Sequence, residues 1–150
     1  MGKFPIGVAF DGTNIWVANR NGNSVSKLLA STGATVGTFS VGNAPIAVAF
    51  DGANIWVANY SDNSVSKLLA STGATVGTFS VGYGPYSVAF DGTNIWVVTN
   101  GSRTATKLLA STGATLGTFS VGDNPQGVAF DGANIWVANG NSFVTKIPAF

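Results

Sequence analysis

Val8-Ala9-Phe10-Asp11-Gly12-Thr13-Asn14-Ile15-Trp16-Val17-Ala18-Asn19 returns, nearly unchanged, at 48–59, 88–99 and 128–139. The spacing is 40 residues each time, and residues 5–44 and 45–84 differ at only seven of 40 positions. A fixed period of this length is the mark of a repeat architecture. Residues that recur in every unit build the unit. Residues that break the repeat are where an individual site has to be sought.

Working outward from Phe10, one unit reads as four strands. Pro5 to Phe10 is a short apolar run, and Asp11-Gly12-Thr13-Asn14 is a turn. Gly supplies the positive φ there, and Asp and Asn bond their own backbone. Ile15 to Asn19 is β-branched and aromatic, which suits a strand. Arg20-Asn21-Gly22-Asn23 turns the chain into a third strand, Ser24 to Ala30. Ser31-Thr32-Gly33-Ala34 turns it into a fourth, Thr35 to Val41. Gly or Pro interrupts every run too early for a helix.

Four short strands with tight turns form an antiparallel meander that cannot bury both faces alone. Radial stacking of copies does bury them and gives a β-propeller. A parallel β-solenoid fits less well, because its corners need no hairpin turns. The expected fold is all-β. One array fills residues 1–150, with blades at 5–44, 45–84, 85–124 and an incomplete one at 125–150. The fourth unit loses one residue in its second turn and has Pro148 where Leu29 stands, so its outer strand is missing. Two chains are expected to close one eight-bladed ring as a homodimer. A fragment of a longer array or an engineered repeat is equally compatible with such uniform units.

Composition narrows the function. Charged residues are 9% of the chain and the net charge is +1, with no basic patch for nucleic acid. No apolar run reaches the length of a membrane span. Cys and His are absent, and the six acidic residues are all Asp. Zinc has lost its usual ligands, and a Ser or Thr nucleophile its usual base. No cofactor and no enzymatic activity are expected. Met1-Gly2-Lys3-Phe4 runs into the first unit without a leader-like segment. The compartment stays open: cytosolic, or reached by a leader outside this sequence.

The string Val-Ala-Phe-Asp-Gly-x-Asn-Ile-Trp-Val-Ala-Asn, followed by Asn-Ser-Val-Ser-Lys-Leu, resembles the YVTN repeats of bacterial propellers. These are relatives of the NHL and virginiamycin B lyase-like propellers. The resemblance spans nearly the whole chain. It implies the propeller fold, and a group of surface and binding proteins with a few enzymes. The lyase-type members rely on histidine and metal-binding acids, so the resemblance does not carry their activity here. A propeller-type hydrolase or lyase is the alternative reading.

The first and third turns of each unit fall on one face of the array and hardly vary. The second turns and the connections between units fall on the other face and vary almost throughout. Any ligand site is therefore expected there, from Tyr60, Tyr83, Tyr86, Arg20, Arg103, Asp62, Asp123 and Gln126. A glycan or a polar peptide end is the expected ligand class. The sequence favours the other reading, drift or engineering noise in loops that pack against nothing. The tryptophans are expected to pack between blades, and Asp11 with its copies to brace turns rather than bind calcium. Lys27, Lys67, Lys107 and Lys146 are expected to lay stems along a blade with solvated heads.

Overall fold

A computed structural model describes residues 2–150. It contains fifteen strands. β1 (Pro5–Phe10), β2 (Asn14–Asn19), β3 (Ser24–Leu29) and β4 (Thr35–Ser40) form the first blade. β5 (Pro45–Phe50), β6 (Asn54–Asn59), β7 (Ser64–Leu69) and β8 (Thr75–Ser80) form the second. β9 (Pro85–Phe90), β10 (Asn94–Thr99), β11 (Thr104–Leu109) and β12 (Thr115–Ser120) form the third. The fourth has three strands, β13 (Pro125–Phe130), β14 (Asn134–Asn139) and β15 (Phe143–Pro148). A single 3-10 turn, Arg20–Gly22, is the only helical element among the described residues. Each sheet is an antiparallel meander in sequence order. β1, β5, β9 and β13 meet in succession, so they are the innermost strands.

The two-residue period of a strand places Ile15 and Val17 on one face of the blade and Trp16 and Ala18 on the other. Packing uses both faces. Trp16, Ala18 and Val25 of blade one meet Ile55, Val57, Leu68 and Ala70 of blade two. The same residue classes meet between blades two and three, and between three and four. Each blade thus has a tryptophan face that covers the isoleucine face of the next. Trp16, Trp56 and Trp96 are fully buried in this way, while Trp136 on the last blade stays 37% exposed.

The outer strand helps cover each tryptophan. Phe39, Phe79 and Phe119 lie against Trp16, Trp56 and Trp96 with ring centroids 5.7, 5.7 and 5.4 Å apart. Phe39 also presses on the third turn of the next blade. A Cβ at Gly73 would lie 2.2 Å from the Phe39 ring, and the residue has φ +80°. At Gly73 and Gly113 backbone conformation and the neighbouring ring both favour glycine, while Gly33 has the positive φ alone.

Three of the four recurring lysines differ from expectation, and Lys146 is exposed. Lys27 and Lys67 are buried, and their heads are not in solvent. Lys27 Nζ donates to the Ala70 carbonyl at 2.7 Å, and Lys67 Nζ to the Ala110 carbonyl at 2.6 Å. Lys107 repeats the bond to Ala149. Each ammonium also sits 5.2–5.4 Å from the ring centre of its own blade's tryptophan. Carbonyl oxygens and an aromatic face replace water around the charge. The lysine therefore pins one blade to the next.

Candidate ligand-binding face

The constant face is built by the first turn of each unit. Asp11 Oδ1 accepts the backbone N–H groups of Thr13 and Asn14, at 2.9 and 2.6 Å. Its Oδ2 accepts the indole N–H of Trp16 at 2.7 Å. Asp51, Asp91 and Asp131 do the same for their own turns and tryptophans. These carboxylates brace turns, as expected from the sequence. Burial by itself raises the acids of Asp11, Asp51 and Asp91. The indole and backbone donors outweigh it and hold all three below the ordinary 3.8. The indole of Trp136 and the turn amides lower Asp131 as well. A depressed folded-state value stabilises the fold above the unfolded value and loses that contribution as pH falls through it. The urea midpoint should hold from neutrality to about pH 5, then fall steadily below about pH 4. A midpoint unchanged down to pH 2 would contradict these bonds.

The variable face is not loose. Each connection between blades bonds to the second turn of the blade that it enters. Tyr60 N–H donates to the Ala44 carbonyl at 3.0 Å, and Asn100 N–H to the Gly84 carbonyl at 2.8 Å. Asn23 and Asn63 adopt positive φ. Their side-chain carbonyls accept the backbone N–H of Ala44 and Gly84, which ties one blade's turn to the next connection. The loops do not pack against nothing: hydrogen bonds between blades order their backbones.

Of the eight residues expected here, three converge. The Arg20 guanidinium lies 5.9 Å from the Tyr60 ring centre. Tyr60 meets Tyr86 edge to face, with centroids 6.2 Å apart. A cation and two phenols from blades one, two and three thus form one strip. Gly84 lies beneath it, where a Cβ would come 3.1 Å from the Tyr60 ring. The others are placed differently. Asp62 accepts the Asn43 backbone N–H at 2.6 Å and its side-chain amide at 2.8 Å. Arg103 and Asp123 pair with each other at 2.8 Å in solvent. Tyr83 is 71% exposed, and Gln126 is exposed on β13. A separate cleft on the constant face is lined by Asp51, Asn54, Thr93 and Ser111. Asp51 and Asn54 are already engaged in the turn.

This arrangement of blades defines a β-propeller. Three solved structures carry the same fold. One is hydrazine synthase of Kuenenia stuttgartiensis, with TM-score 0.86, 22% identity, and coverage of 96% of this chain and 46% of that one. The computationally designed Ika4 protein gives 0.87 at 12% identity, over 99% of this chain and 92% of its own. The designed Ika8 protein gives 0.84 at 12%, over 96% of this chain and 45% of its own. The chain therefore spans about half the length of the hydrazine synthase and Ika8 chains and nearly all of Ika4. No protein-family model and no curated protein matches the sequence.

Proposed function

We propose that the chain is a non-catalytic scaffold and binding module of YVTN type. Two copies close an eight-bladed ring, and the ligand site is the Arg20–Tyr60–Tyr86 strip on the variable face. One observation carries the assembly: the two end faces are the two halves of an interface that the chain makes three times internally. Ile15 and Leu28 are only partly covered and Ala30 is exposed, whereas Ile55 and Leu68 are fully buried. At the other end Trp136 and Val144 are open, the latter 57% exposed against 0% for its counterparts Val25 and Val65. Trp136, Ala138 and Val144 line an apolar groove there. Lys146 stands over Trp136 at 5.2 Å, on the exposed end face. The repeat spacing would give it the Ala30 carbonyl of a second copy. The overlay supports this reading, since one arc of four blades fits both a whole chain of similar length and half of a much longer one.

The non-catalytic reading is supported by the acids. Four of the six brace turns, Asp62 holds Asn43, and Asp123 pairs with Arg103. The strip suits a glycan or a polar peptide end, since a phenol offers a stacking face and a hydroxyl, and a guanidinium a fork of donors. A glycan and peptide-terminus screen tests it. Binding should survive Tyr83→Ala and vanish in the Tyr60→Ala, Tyr86→Ala double variant. Binding that persists in the double variant would move the site, and no binder in either set would leave a scaffold alone.

A further inference from the structure

We propose that the outer cleft between blades two and three binds a small neutral polyol of monosaccharide size, held by the unpaired hydroxyl of Thr106. The cleft has a volume of about 320 Å³, at the small end of the range for ligand sites. Ser80, Ser102, Thr104, Thr106, Thr115 and Thr118 line it, and Val81 gives it an apolar wall. Both walls belong to internal blades, so neither chain end nor ring closure bears on it. The cleft is separate from the Arg20–Tyr60–Tyr86 strip.

Blade two shows how the hydroxyls at this position are ordinarily used. Asn59 Nδ2 donates to the hydroxyls of Ser64 and Ser66 at 3.1 and 2.9 Å. Asn19 serves Ser24 and Ser26 in the same way in blade one. Blade three departs from blade two at several of these places together. Thr99 replaces Asn59, Ser102 replaces Asp62, and Thr104 and Thr106 replace Ser64 and Ser66. The Thr99 hydroxyl bonds to Thr104 and stops there. Thr106 is 4% exposed, and its hydroxyl has no hydrogen-bond partner among the described residues. A buried hydroxyl is costly to leave unpaired, so its partner has to come from the cleft.

The lining sets the class of ligand. A hydroxyl both donates and accepts, which matches a molecule made of hydroxyls. Thr106 and Thr118 are cross-strand partners, so they share one face of blade three. Their methyl groups and Val81 offer apolar surface to the C–H face of a sugar ring. No charged side chain lines the cleft, so nothing there offsets the desolvation of an ion. The rim is tight. A Cβ at Gly82 would lie 2.8 Å from Ser102 Oγ and 3.0 Å from Thr99 Oγ1. Ser102 Oγ accepts the Tyr83 N–H at 2.7 Å, which fixes it there and leaves its own hydrogen free to donate.

The probes are D-glucose and D-mannitol, with sodium sulfate as the ionic control, titrated into the isotope-labelled full chain and followed by amide NMR shifts. Saturable shifts are expected at Gly82, Ser102, Thr104 and Thr106 with at least one polyol, at a dissociation constant of about 1–10 mM for so small a ligand. Ser64 and Ser66, whose hydroxyls are engaged, should not respond. Thr106→Val keeps the shape and removes the hydroxyl, so affinity should fall about tenfold. The melting temperature of that variant should hold or rise, because no protein group uses the hydroxyl. Thr99→Asn restores the donor of blade two and should weaken binding as well. The Tyr60→Ala, Tyr86→Ala double variant should bind the polyol as before, which separates the cleft from the strip. Shifts that never saturate, equal shifts at Ser64 and Ser66, or unchanged affinity in Thr106→Val would overturn the proposal. So would a lowered melting temperature in Thr106→Val, or sulfate bound more tightly than either polyol.

Discussion

Trp56→Ala should lower the free energy of unfolding by about 3–5 kcal/mol, the range for deleting a large aromatic from a closed core. Trp56 is fully buried between blades two and three. It lies against Phe79, donates to Asp51 and carries the Lys67 ammonium over its ring. Alanine removes the packing, leaves Asp51 Oδ2 without its indole donor and takes the aromatic face from a buried cation. Urea unfolding followed by circular dichroism reads the loss. The same change at Trp136, which is partly exposed, should cost clearly less in the isolated chain. A cost at Trp56 of under about 1 kcal/mol would mean that the blades are not packed through their tryptophans.

The second large effect is expected at the open end. Val144→Asp changes a residue that is exposed in the single chain, so the fold should be kept. In the ring it would occupy the place that Val25 and Val65 hold inside the chain, fully buried. A carboxylate buried there without a partner costs several kcal/mol. The ring has two such interfaces, so the penalty enters twice. The dissociation constant should rise at least about a thousand-fold, which leaves a folded single chain at micromolar concentration. Sedimentation velocity with circular dichroism on the same sample checks both statements. An unchanged assembly would remove the tryptophan face from the interface.

Much of the fold was legible because its punctuation is chemical. Asp-Gly-x-Asn and Ser-Thr-Gly-Ala each place glycine at positive φ, and the strands between them carry β-branched and aromatic residues. The observed strands at 5–10, 14–19, 24–29 and 35–40 fall within one residue of those expected. Burial of Trp16, Trp56 and Trp96 followed from their alternation with Ile and Val. Lys27, Lys67 and Lys107 were misread for a physical reason. Alternation says which face a side chain takes, not what the next blade brings to it, and the Ala70 and Ala110 carbonyls lie 43 residues away in sequence. The variable face was found by sorting substitutions, but eight candidates shared it. Only the spacing between blades brings Arg20, Tyr60 and Tyr86 together while Asp62 and Asp123 are absorbed by local bonds. Asn23 and Asn63 were passed over as turn residues, although their positive φ lets the side chains reach the next connection.

The central claim is that the isoleucine face of blade one and the tryptophan face of blade four are made for each other. A head-to-tail interface of this kind closes into a ring or runs on into a filament. Sedimentation equilibrium over a wide range of concentrations separates these cases. The chain mass is 15.2 kDa, so two chains should give a single species of about 30 kDa (2 × 15.2) with nothing larger. A species of 15.2 kDa at every concentration, or a ladder of ever larger assemblies, would contradict it.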